Sequence, residues 1–225
     1  MIKPPQMSRM KQIAIATAVL FASTHAARAQ EGPSVALHHA TDLAIGDAAG
    51  ATKVSASWSP VLGLFGEHLH LGLGVRLGTF FLRRGVGFGS QDAKLVAPDL
   101  QAYGLNAFAQ ARIRIAGGLE AGANIDLAGY GFGSSVLGDY RAPGTSFRRY
   151  QPAHVSNLDL LKLGSGDRGQ LDSEFFLGYR FGSVGVRAGF THFSAELLTR
   201  RRLDEGRNRF RHPFSGGFLS VYYWH

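Results

Sequence analysis

The sequence predicts an all-β chain, an eight-stranded antiparallel transmembrane β-barrel. Three observations predict it. Apolar and polar residues alternate with a period of two over eight separate segments, as a strand with two unlike faces requires. The apolar faces persist for about 9–13 residues, where a tilted membrane strand needs about 9–11 and a soluble strand averages about 5–6. The connections alternate between tight turns and long loops, the pattern of barrels with short periplasmic turns and long external loops.

The N-terminal segment has a different logic. Lys3, Arg9 and Lys11 precede an apolar run from Ile13 to Ala22, and Ala27-Arg28-Ala29 is a small-x-small cleavage pattern. That order is the layout of a secretory signal, and the run is shorter than the roughly 20 residues of a spanning helix. Residues 1–29 are therefore expected to be a cleaved signal peptide and residues 30–225 the barrel. The signal carries four basic residues and no acidic ones, so the net charge of +8 falls to +4 after cleavage. Half of the basicity belongs to targeting, which makes nucleic acid an unexpected partner. With no cysteine in the chain, disulfides, thiol catalysis and zinc–thiolate sites are excluded.

The eight segments are 35–45, 52–64, 69–82, 101–116, 119–132, 171–181, 184–198 and 214–224. In the third, Leu69, Leu71, Leu73, Val75, Leu77, Thr79 and Phe81 alternate with His70, Gly72, Gly74, Arg76, Gly78, Phe80 and Leu82. The fourth sets Tyr103, Leu105, Ala107, Ala109, Ala111, Ile113 and Ile115 against Gly104, Asn106, Phe108, Gln110, Arg112 and Arg114. The first two segments are less regular: His38, His39 and Asp42 lie in one, and Pro60 interrupts the other. Gly66-Glu67-His68, Gly117-Gly118 and Gly182-Ser183 read as tight turns, and 83–100, 133–170 and 199–213 as long loops. An even strand count leaves both ends of the barrel on the periplasmic side. Leu219, Val221 and Tyr223 alternate up to Trp224-His225, and this ending resembles the recognition strand of small outer-membrane barrels.

An eight-stranded lumen is about filled by side chains. The inward set comprises Lys53, Arg76, Arg112, Arg114, Arg180 and Arg187 with Asp42, Glu120, Asp126, Asp172 and Glu174. Unpaired burial of these charges would cost too much, so an ion-pair network is expected in place of an open pore. Gly72, Gly74, Gly104 and Gly122 are expected to make room for the arginines.

Candidate chemistry lies late in the chain. His192, Ser194 and Glu196 continue the face of Val184, Val186, Ala188 and Phe190, and so are expected to face lipid near the external interface. A His that activates a Ser, oriented by a carboxylate, is the constellation of an esterase. The motif His192-Phe193-Ser194, with Glu205 eleven positions after the Ser, resembles the outer-membrane lipid A deacylases. The resemblance implies an eight-stranded barrel in which His192, Ser194 and Glu205 are catalytic, with Glu196 the competing acid. The sequence departs from that family at Ala195, where the family has Asn, and in lacking the Asn-Pro-Gly-like stretch that follows. Arg200, Arg201, Arg202, Arg207, Arg209 and Arg211 form a basic loop suited to the phosphates of lipopolysaccharide. His38-His39 and His68…His70 lack a carboxylate-rich ligand set, so no metal and no cofactor are expected.

The expected role is thus structural or surface-interacting in the bacterial outer membrane, as a monomer among outer-membrane lipids and lipopolysaccharide. A lipid A deacylase-like esterase and a narrow channel are the alternatives.

Overall fold

Alternation over a long segment becomes strand because each residue must satisfy its backbone across the sheet while its side chain chooses lipid or lumen. The computed structural model describes residues 35–90, 92–144, 150–162, 166–203 and 206–225, so the expected signal peptide and Glu205 lie outside the described residues. Thirteen strands share one sheet: β1 (Ala36–Ala48), β2 (Ala51–Leu64), β3 (Leu69–Leu82), β4 (Gly87–Gly89), β5 (Lys94–Val96), β6 (Leu100–Ala116), β7 (Leu119–Gly133), β8 (Val136–Arg141), β9 (Tyr150–Val155), β10 (Asp159–Leu160), β11 (Asp172–Phe181), β12 (Val184–Thr199) and β13 (Arg209–Trp224). Eight of them form the wall, each antiparallel to the next in the order β1, β2, β3, β6, β7, β11, β12, β13. The wall closes where β13 returns to β1, in register from Ala40↔Trp224 to Ala48↔Gly216.

The three predicted tight turns lie at the end that also holds the start of β1 and the end of β13. At one of them Phe65, Gly66 and Glu67 all take positive φ (53°, 62° and 69°), a strained run for two non-glycine residues. The first two strands are longer than the sequence suggests and meet in a two-residue turn at the opposite end, with Gly50 at φ 90°. Pro60 is accommodated beside a lapse in the β2–β3 ladder between Trp58↔Val75 and Val61↔Gly72, where its missing N–H costs nothing.

The outer surface is apolar. Leu43, Leu73, Val75, Leu77, Leu105, Leu177, Val186, Leu219 and Val221 are all exposed. The ten-residue rise from Leu71 to Phe81, at about 3.3 Å per residue and a tilt of about 40°, spans about 25 Å, the height of a barrel's lipid-facing band. Aromatics border it: Tyr103, Tyr130 and Phe132 cluster toward the loop end and Tyr179 and Phe181 at the turn end. In β7 the β6 register shifts between Ala107↔Ala128 and Phe108↔Asp126, which leaves Leu127 as a bulge. The extra residue lets Leu127 and then Tyr130 and Phe132 all reach lipid.

The lumen is layered. In the middle, Lys53 is bonded to Asp172, to Glu174 at 2.6 Å and to Thr191 at 3.3 Å. Arg76 reaches Asp172 at 2.5 Å, Glu174 at 3.0 Å and Asp126 at 3.3 Å. Toward the turns, Arg187 pairs with Asp42 between the rings of Phe176 and Tyr222. Arg112 lies over Tyr222 and Trp224, 4.0 Å from Glu120. Arg114 and Arg180, by contrast, are only half-buried near the turn end. The glycines serve other neighbours than expected. A Cβ on Gly72 would meet Gln110, on Gly74 Phe108, on Gly104 Asp159 and Gln170, and on Gly122 Phe176; it is Gly178 that lies against Arg187.

Above the charged layer the long connections fold back as a lid. Phe88, Leu95, Tyr140, Ala153, Val155 and Leu203 pack on Phe80, Phe193, Phe210 and Phe214 in one apolar cluster. The small strands β4, β5, β8 and β9 continue the sheet from β12 to support it.

Replacing Lys53 by Met strips one of two cations from Asp172 and Glu174. Lys53→Met is expected to lower stability by about 3–5 kcal/mol, read from the urea unfolding midpoint of the refolded protein in detergent micelles.

Candidate functional site

His192, Ser194 and Glu196 lie at the loop end, on the outer face of β12, while Glu205 lies outside the described residues. Parity places Ser194 and Glu196 outward, as expected, but not on lipid: Ser194 is 1% exposed and Glu196 4%. The chain between β10 and β11 folds against them. Ser194 Oγ donates to the Gly169 carbonyl at 3.1 Å and accepts from Arg211 at 3.0 Å. Glu196 holds Arg209 bidentately at 2.9 Å on each oxygen and accepts the Gly169 amide at 2.8 Å. His192 Nδ1 lies 2.8 Å from Ser215 Oγ on the neighbouring strand. His192 and Ser194 therefore share a face without a hydrogen bond between them among the described residues. Through these contacts Ser194 and Glu196 tie the wall to the overlying segment.

The basic loop divides in two. Arg209 and Arg211 are half-buried supports, Arg211 reaching the Asp167 carbonyl at 3.2 Å and its carboxylate at 3.6 Å. Arg200, Arg201, Arg202 and Arg207 are exposed, and Arg207 also bonds Ser90 at 3.2 Å. Four guanidinium groups thus stand at the rim above the lid.

A second cluster lies at the turn end. Nε2 of His38 and Nε2 of His70 lie 3.0 and 2.9 Å from the same Glu67 oxygen, and a carboxylate can only accept, so both rings donate. Sequence reading weighed the histidines and missed Glu67, whose positive φ turns it toward them. No group of three or more His, Asp or Glu among the described residues is arranged to hold a metal ion. Burial raises the Glu67 carboxyl, but the bonds from His70 and His38 outweigh it and hold the group below its ordinary value.

A third cluster was not legible at all. Where the β7 bulge ends its pairing with β11, β10 takes over beside Gly129 and Ala128. This brings Asp159 and Gln170 to the lumen side. Asp159 Oδ1 accepts the Gln170 amide at 2.8 Å, and Asn106 Nδ2 donates to the Gln170 carbonyl at 2.7 Å and to Asp126 at 2.9 Å. Burial pushes Asp159, on the connecting segment, up to about 7, against the Gln170 bond and with help from Asp126 and Glu196.

A closed antiparallel wall with an apolar outer band and a packed polar lumen defines a membrane-spanning β-barrel. No family model matches the chain, and no curated protein does. Among solved structures, the crystal structure of Neisserial surface protein A (NspA) is similar over 84% of this chain and 98% of that one, at 11% identity and a TM-score of 0.33.

Two outcomes follow from this geometry. Ser194→Ala removes a donor to Gly169 and an acceptor for Arg211 from a buried site, and is expected to cost about 1–3 kcal/mol in urea unfolding. Glu67 has a lowered carboxyl, so its contribution is complete above the unfolded value of about 4.5 and is lost as pH falls through the lower folded one. The gap between the unfolding midpoints of the wild type and Glu67→Gln should therefore be widest near neutrality and shrink as the pH falls below about 4.5.

Proposed function

We propose that the protein is exported, cleaved after Ala29 and inserted as a monomer in a bacterial outer membrane, where its loop end acts as a surface-interaction site for lipopolysaccharide phosphates. The observation that carries this reading is the division of the basic loop. Arg209 and Arg211 are engaged in holding the fold, while Arg200, Arg201 and Arg202 project from the rim with Arg207 beside them. Guanidinium groups at that height meet the headgroup layer, and phosphate is the anion they hold best in paired hydrogen bonds. A lumen occupied by ion pairs and closed by an apolar lid favours a non-conducting barrel. An esterase reading would require Ser194 to leave Gly169 and Arg211 and turn to His192.

The test is binding of the refolded protein to lipid A vesicles, with and without the lipid phosphates. Replacing Arg200, Arg201 and Arg202 together by Ala should weaken binding to phosphorylated lipid A by about tenfold or more and leave the weaker binding to dephosphorylated lipid A unchanged. Equal binding by both forms would overturn the reading. Mass spectrometry of the same protein, recovered from the outer-membrane fraction, should give a chain beginning at Gln30.

A further inference from the structure

Among the described residues, three buried oxygens over one patch of the wall have no hydrogen-bond partner: Asp159 Oδ2, Gln170 Oε1 and Asn106 Oδ1. All three residues are at most 3% exposed. The patch is paved with glycine. Gly104 pairs with Gly131 and Asn106 with Gly129 across β6 and β7. A Cβ on Gly104 would lie 3.3 Å from Asp159 Oδ2, one on Gly131 would overlap Gln170 Oε1, and one on Gly129 would overlap Asn106 Oδ1. The missing side chains leave room for all three acceptors on this one patch of the wall. The Ser156 carbonyl borders it as well, beside Gly131.

The charges around this space do not balance. Asp126, Asp172 and Glu174 share Lys53 and Arg76, and Asp159 adds a fourth carboxylate with no ion pair among the described residues. Four buried carboxylates thus face two cations. Asn106 Nδ2 already directs two hydrogen bonds to Asp126 and the Gln170 carbonyl, so it brings no further donor. A water could donate to two of the three acceptors but would leave the charge uncorrected.

We propose that Asp159, Gln170 and Asn106 form a site for a hard cation of the Ca2+ class, seated under the lid against the glycine patch. The donors are carboxylate, amide and carbonyl oxygens, which suit a hard ion and not zinc or copper. Ca2+ tolerates irregular oxygen shells completed by water, whereas Mg2+ demands a strict octahedron. The cation supplies the charge that Lys53 and Arg76 leave short. It also links β6, β10 and the segment entering β11, the place where the bulge opens the wall.

The full mature chain, refolded in zwitterionic detergent without lipid and freed of metal by chelation, is titrated with CaCl2 at about pH 8, on the alkaline side of the raised Asp159 carboxyl. One Ca2+ per chain should bind, by calorimetry, and raise the thermal unfolding midpoint. Asp159→Asn should bind at least about tenfold more weakly and be no less stable than the wild type without metal, because an unpaired buried charge is gone. Gly104→Ala, which fills the space without removing a ligand, should weaken binding as well. The proposal fails if wild type and Asp159→Asn respond alike, which marks an adventitious surface ion. It fails equally if the wild type shows neither heat nor shift while Asp159→Asn or a lower pH stabilises it, which marks a proton at Asp159 in place of a metal.

Discussion

The structure depends on the charged layer in which Lys53 and Arg76 hold Asp172, Glu174 and Asp126. A membrane barrel must turn its apolar face outward, so its polar face has nowhere to go but the lumen. In eight strands the lumen is too narrow for bulk water to solvate that face. Each inward charge therefore needs a partner from across the barrel. Lys53 and Glu174 are 121 positions apart, and Arg76 and Glu174 are 98 apart, so the layer ties β2 and β3 to β11 on the far wall. It also fixes register. A one-residue slip of β3 would carry Arg76 into lipid and Val75 or Leu77 into the charges.

The loop end solves a different problem. β11 begins only at Asp172, so the upper part of β7 and of β12 would each present an unpaired edge. The bulge at Leu127 turns β7 onto β10, and β9 takes the edge of β12 from Leu197 to Thr199. The segment between them is pinned at Gly169 by Ser194 and Glu196, and through Asp167 by Arg211. Residues that resemble catalytic machinery in one dimension thus close a gap in the wall in three.

The sequence revealed the eight wall strands because lipid enforces long alternation and each crossing repeats it. It also placed the inward charges, most of which pair as ion-pair logic requires. What it could not reveal depends on contacts between distant segments. Strands of three residues such as β4 and β5 carry no period to detect. Parity put Ser194 and Glu196 on the outer face but could not say that residues 167–170 would cover them. Arg209 and Arg211 read as part of one basic loop, yet β13 begins at Arg209 and strand pairing sets Arg211 directly across from Glu196. Phe80, on the inward face of β3, carries no signal of the lid by itself, because Phe108, Phe176 and Tyr222 face the lumen too; packing with Phe88, Leu95 and Tyr140 sets it apart.

The two ends of the lumen now bear on function. At the turns, Trp224 lies 5.0 Å from both His38 and His70, with Arg180 over its ring. At the loops, Phe193 and Phe214 stack at 5.1 Å beneath the lid. Aromatic packing closes each end of a charged interior, and the same closure that lowers the local dielectric strengthens the ion pairs within it. Such an interior is suited to holding the barrel together and poorly suited to passing solutes. Outside that interior lie the outer band, which faces lipid, and the rim with exposed Arg200, Arg201, Arg202 and Arg207. That rim stands on the loop between β12 and β13, so the buried layers below it set how rigidly it is held.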